Sequence, residues 1–310
     1  MKFFSTVCRY LVYYNSELHN FTQVTNPKSV MKILITLSLL FAFSLNVLAD
    51  TISDKEKEAL VKLYHATNGL QWKNKWDLSL SVSTWYGVKA ENGKVVALNL
   101  SDNNLQGELP EAFYDLVNLE SLNLEKNKIE GNLSSAIFNL KELEMLNIAD
   151  NKLSGTIPSS ICQLTKLKDL ELFMNKISGE LPSEIGKLNQ LEILAVCNNE
   201  LNGKLPVSIY KISGLKVLLL NNNKLSGNLT NEIINWNVLE NFSLFDNEFS
   251  GVIPQEIEKL NKLEELNLSY NKFTGEVSKK TALLDALNMT MMDENGNPFL
   301  LEINQENKLQ

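Results

Sequence analysis

Along most of the chain the apolar positions follow neither the ~3.6-residue period of a helix nor the alternation of a strand. In the stretch 167–190 they fall at Leu167, Leu170, Leu172, Ile177, Leu181, Ile185 and Leu188, with Asn175, Gly179 and Pro182 between them. A shift of 24 residues in either direction lands on the same pattern. The first position recurs as Val95, Leu119, Leu143, Leu167, Leu191, Leu215, Leu239 and Leu263. An asparagine returns at Asn103, Asn127, Asn151, Asn175, Asn199, Asn223, Asn247 and Asn271, and a glycine four residues after each. A fixed period of this length predicts a solenoid, in which no coil can bury its own apolar face and stacking completes the core.

Each recurring residue type has a physical task. The pair Leu170 and Leu172 predicts a short strand whose leucines point inward while Asp169, Glu171 and Phe173 point out. The asparagine follows where the chain must turn, and its carboxamide can bond the backbone of adjacent coils. Losing such a buried partner costs about 1–3 kcal/mol. Central coils, flanked on both sides, are expected to feel that loss more than the last regular one. The glycine marks a positive φ or a close backbone approach. Proline three residues later marks a bend, and Ser134, Thr230 and Ser278 replace it where it is missing.

The repeat, LxxLxLxxNxLxGxLPxxLxxLxx, resembles the leucine-rich repeat of plant receptor ectodomains. The resemblance covers 95–286 as eight repeats and implies an α/β-type solenoid. Such a fold is a right-handed superhelix with a parallel concave β-sheet, a helical amino-terminal cap and a hairpin carboxy-terminal cap. Before the repeats, 50–94 reads as the amino-terminal cap. Ser53-Asp54-Lys55-Glu56 has capping-box spacing, and Trp72, Trp76 and Trp85 can plug the first coil. The string W-x(3)-W…W-Y-G-V is similar to the plant cap, but Ser83 and Ala90 stand where its cysteines usually flank that segment. Their absence shifts the expected origin towards a bacterial relative. Beyond 286 the consensus decays. Apolar runs at 289–293 and 299–303 flank Asn295-Gly296, a hairpin signal, within a cap and tail spanning 287–310.

The amino terminus carries a second pattern. Lys32 precedes an apolar run from Ile33 to Ala49, and Val47 and Ala49 suit a signal peptidase, so 31–49 reads as a signal peptide with cleavage before Asp50. Residues 1–30 read as an extension of the gene model ahead of a true start at Met31. Without 1–49, the basic residues fall to 29 − 4 = 25 and the acidic ones to 37 − 1 = 36, a net charge of −11. That acidic chain lacks the only arginine, Arg9, and is a poor partner for nucleic acid. No membrane span is expected after the leader. Cys162 falls late in its coil and Cys197 just after its strand, so no disulfide between them is expected.

Catalytic machinery is hard to find. After the leader the one histidine is His65, in the expected cap helix, which rules out metal sites needing two histidines. Carboxylates such as Glu120, Glu144, Glu192, Glu240 and Glu264 recur at one position and read as a solvated stripe. A kinase catalytic loop, common in plant relatives, needs an arginine the repeats do not have. No enzyme activity, cofactor or metal is expected, which leaves binding.

On a solenoid the extended concave sheet is the expected binding surface. Its third-position row reads Ala97, Ser121, Met145, Asp169, Ile193, Val217, Asn241 and Glu265. The fifth reads Asn99, Asn123, Asn147, Glu171, Ala195, Leu219, Ser243 and Asn267. The seventh reads Ser101, Glu125, Ala149, Phe173, Cys197, Asn221, Phe245 and Ser269. Polar residues hold both ends, and apolar ones gather in the middle. The candidate partner-binding residues are therefore Asp169, Glu171, Phe173, Met174, Ile193, Ala195, Val217, Leu219 and Phe245. An apolar centre with a polar rim points to a protein or peptide ligand. The competing expectation is a structural or adhesive surface protein touching polysaccharide, which the carboxylates beside Phe173 fit only in part.

Overall fold

The computed structural model describes residues 52–285 and 287–304; the expected signal peptide and its cleavage site lie outside them. The described residues are a solenoid whose coils each have three sides. The first side builds a nine-stranded sheet that runs from the cap hairpin, Val88–Glu91 and Lys94–Asn99, through one short strand per repeat to Glu265–Asn267. Only the cap strand is antiparallel; every later pair is parallel and in register at the 24-residue period. The second side is a row of short parallel strands from Ser178–Gly179 to Lys272–Thr274, with Gln106–Glu108 and Lys128–Glu130 paired separately.

The third side returns the chain through single 3-10 turns such as Ser159–Gln163 and Val207–Lys211, each with Pro158 or Pro206 at its N-cap. α-Helices occur only at the two ends among the described residues. The α/β-type solenoid expected from the sequence is the fold observed, with 3-10 turns on the return side of the repeats. The 3-10 turn is only part of that return, as with Val207–Lys211 between the strands Glu200–Lys204 and Val217–Leu219.

The interior is a continuous stack of the periodic leucines and isoleucines. Larger rings fill it towards the carboxy-terminal half, where Trp236 packs on Tyr210 with ring centroids 4.9 Å apart and meets Phe242 edge-on. The asparagine ladder stitches the coils together. From the second repeat on, the carboxamide oxygen accepts from a backbone N–H of the preceding coil, as Asn175 does from Leu153 at 2.9 Å, while Asn103 accepts from Asn74 N of the cap. Asn175 Nδ2 donates to Ile148 O at 3.0 Å and Leu172 O at 3.1 Å. The burial runs against the sequence expectation. Asn103 and Asn271, nearest the ends, are wholly buried, while Asn175 is only half-buried, because caps cover the terminal rungs. Gly179 stands at φ +76°, and a Cβ there would lie 2.8 Å from Thr156 Cγ2 of the preceding coil.

Both ends are closed by dedicated elements. The helix Asp54–Ala66 starts at Ser53, whose hydroxyl accepts from Glu56 N at 3.2 Å. Glu56 is buried, and its Oε1 accepts from Val95 N at 3.3 Å and Asn118 Nδ2 at 3.2 Å, which ties the helix to both ends of the first repeat. Trp72 and Trp76 pack beside Tyr64 and Trp85 stacks on Trp76, with every indole N–H bonded to a backbone carbonyl.

At the far end Asp285, also buried, accepts from Leu268 N and Ser269 Oγ at 2.8 Å each and stands where the strand of a further repeat would pair. The hairpin forms between Thr290–Met292 and Pro298–Leu300. The second apolar run then breaks at the buried Leu301, and Glu302–Asn304 pairs instead with Glu276–Ser278. Cys162 and Cys197 are both free and buried. No helix of the described residues is long and apolar enough to cross a membrane.

Candidate functional site

The register of the large sheet aligns the outward positions into the rows read from the sequence. Met145, Asp169, Ile193 and Val217 are successive partners in one row. Asn147, Glu171, Ala195 and Leu219 are successive partners in the next. The leucines between them, Leu170, Leu194 and Leu218, are fully buried on the opposite side, so the third and fifth positions look outward. Adjacent strands lie roughly 4.8 Å apart, so residues of neighbouring repeats in one row touch.

Asp169, Glu171, Phe173, Ile193, Val217, Leu219 and Phe245 are all half-buried on this face. Two candidates depart from that description. Ala195 is 4% exposed, because its methyl sits between the longer Glu171 and Leu219 of the same row; it forms floor rather than contact surface. Met174 is 48% exposed and stands at the rim, in the turn after the strand. Phe245 packs edge-on against Tyr270, ring centroids 5.1 Å apart, and so marks the carboxy-terminal border of the apolar run rather than its middle.

A further row escaped the sequence reading. The residue before each ladder asparagine takes a left-handed conformation: Asp102, Lys126, Asp150, Met174, Asn198, Asn222, Asp246 and Tyr270 all have φ between +48° and +60°. The available signal was its enrichment in aspartate and asparagine, the side chains most at ease there. This row borders the sheet and brings Met174 and Tyr270 to its edge. Met145, 36% exposed beside Asp169, also belongs to the apolar surface.

The electrostatics of the face are one-sided. One carboxylate oxygen of Asp169, Oδ1, is buried without a donor, and burial raises the pKa of that carboxyl. Glu171 is pushed from 4.5 up to about 7, first by burial and then by the charges of Asp169 and Glu125. The second-position stripe behaves differently. There Glu144 pairs with Lys168 at 2.7 Å and Glu192 with Lys216 at 2.6 Å, both pairs in solvent. His65 is exposed in the last turn of the cap helix. Among the described residues no group of three or more His, Cys, Asp or Glu is placed to hold a metal ion. A surface groove over Leu181-Pro182 and Leu205-Pro206 lies on the outer flank, away from this face, and follows from the repeat itself.

These features define a leucine-rich repeat protein. The model of the leucine-rich repeat region matches 159–292, and that of the single leucine-rich repeat matches 94–116, 118–140 and 142–164. Among solved structures, the chain is similar to PEPR1 in the PEPR1–AtPEP1 complex, with 24% identity and a TM-score of 0.67 over 81% of this chain and 36% of that one. It is also similar to the plant peptide hormone receptor RGFR1 in complex with RGF2, with 28% identity and a TM-score of 0.59 over 68% of this chain and 32% of that one. A plant ice-binding protein matches over its whole length and 83% of this chain, with 22% identity and a TM-score of 0.58. The chain thus spans about a third of the length of PEPR1 and of RGFR1.

Proposed function

We propose that the chain is a non-catalytic recognition module that works outside the cytoplasm and binds a protein or peptide on the middle of its concave sheet. The observation that carries the reading is the continuous apolar run Ile193, Val217 and Leu219, bordered by Phe173, Met174 and Phe245 and ending on both sides in polar residues. Such an apolar centre with a wet rim is the anatomy of an interface. Leucine-rich repeat proteins similar to this chain include a receptor solved with a peptide hormone, which favours the same kind of ligand here.

The test uses a partner captured from the protein's own surroundings. Leu219→Glu and Phe173→Glu should each abolish its binding while circular dichroism stays unchanged, because an interface centre tolerates an unpaired charge poorly. Asn99→Glu and Asn267→Glu, at the polar ends, should be nearly silent. Four small and equal losses would favour an adhesive surface that binds along its whole length. Normal binding by both central variants would discard the patch.

A further inference from the structure

The concave face has a charge pattern that the apolar run does not explain. None of the third-, fifth- or seventh-position residues is a lysine or arginine, although the chain carries 29 of them. Its carboxylates are Glu125, Asp169, Glu171 and Glu265. Glu125 is paired with Lys126 at 3.3 Å, and Glu265 accepts from Asn241 Nδ2 at 2.5 Å. Asp169 and Glu171 have no cationic partner among the described residues. They share one strand at the amino-terminal border of the apolar run, with Ile193 and Val217 continuing the row of Asp169 and Ala195 and Leu219 that of Glu171.

Half-buried carboxylates beside apolar side chains are costly to keep charged, and a cation brought against them offsets that cost. We propose that the ligand is a peptide segment that sets a lysine or arginine side chain against Glu171 and Asp169 and an apolar side chain against Val217 and Leu219. This rests on the concave sheet being the binding face. Two strand spacings separate Glu171 from Leu219, roughly 10 Å, which an extended peptide covers in about three residues. The basic and apolar residues of the ligand should therefore be two or three positions apart, the shorter spacing using the reach of the long cationic side chain.

The same geometry ties binding to pH. The groups facing Glu171 are Asp169 on its own strand, Glu125 from an earlier repeat and the Cys197 thiol after the next strand. The flanking strands Met145–Asn147 and Ile193–Ala195 bring no titratable side chain. A cation against Glu171 favours the ionised form, so binding expels a proton. Affinity then rises with pH through the region near 7 where the free carboxyl titrates.

A phage-displayed random heptapeptide library, panned on the purified full chain and on its Glu171→Gln and Leu219→Glu variants, tests this. The wild type should enrich peptides with lysine or arginine two or three residues from leucine, isoleucine, valine or phenylalanine. Synthetic copies should bind Glu171→Gln about tenfold more weakly, the effect expected for one charge-assisted contact. Their affinity should rise between about pH 6 and about pH 8 on the wild type and stay flat on Glu171→Gln. Leu219→Glu, or Leu219→Ser if the former does not fold, should select none of them. Enriched peptides without a basic residue that are still lost on Leu219→Glu overturn this inference and leave the binding face standing. No enrichment, or equal binding by the Leu219 variant, overturns both.

Discussion

At the scale of single residues, Met174 is the position where local preference and structure disagree. It holds φ +54° in a row otherwise occupied mainly by aspartate and asparagine, whose short polar side chains settle into the left-handed region by bonding locally. Methionine has no such bond, and at 48% exposure its side chain gains little packing in return. A left-handed L-residue costs on the order of 1 kcal/mol, so Met174→Asn should stabilise the fold by about that much. Urea melts would show a higher midpoint with an unchanged slope. If Met174 borders the ligand, the same variant should bind less tightly; a midpoint at or below the wild type would mean that position 174 is unstrained. This row was hidden in the sequence because conformation, not hydrophobicity, sets it. Ala195 failed for another reason: its register was legible, but its burial depends on the length of Glu171 and Leu219 on either side. The raised pKa of Glu171 likewise needs two carboxylates and a dry neighbourhood that only the register brings together.

At the scale of elements, the repeats were legible because each coil repeats the same physical solution, and eight copies average out local exceptions. The caps are single copies, and their essential contacts are between residues far apart in sequence. Glu56 sits where a capping-box glutamate is expected, and Ser53 Oγ donates to its Oε2 at 3.1 Å. Its larger task is to hold Val95 N and Asn118 Nδ2, 39 and 62 residues away. No spacing rule points to that. Glu56→Ala would leave Val95 N buried without an acceptor, at a cost of about 1–3 kcal/mol. Loss should be seen first in the cap, as faster amide exchange in 54–66 ahead of the main transition. Uniform acceleration across all repeats would show that the cap melts only with the whole stack. At the other end Asp285 plays the corresponding part on the last strand, again through residues that carry no repeat signature.

At the scale of the whole molecule, stability is a sum over neighbouring coils, so where a defect lies decides how it is felt. The ladder asparagines allow a controlled comparison, because Asn175 and Asn271 make equivalent bonds in different places. Asn175 accepts from Leu153 N and donates to Ile148 O, and Asn271 accepts from Phe249 N and donates to Leu244 O, all within 2.8–3.0 Å. Asn271 is wholly buried, so its replacement by alanine should cost at least as much as that of the half-buried Asn175, each about 1–3 kcal/mol. The consequences should still differ. Asn271→Ala weakens the last regular coil, which can open with its cap while the coils before it stay stacked. Amide exchange should therefore quicken in 272–304 and leave the main urea transition nearly in place. Asn175→Ala lies among the middle coils, where no part can open without exposing two new apolar ends. Its cost should appear as a lower midpoint of the main transition, with protection lost on both sides of the site. Equal and negligible shifts for both variants would mean that the ladder adds nothing and that the stacked leucines alone hold the coils together, while the reverse pattern would mean that the last coil does not open apart from the rest.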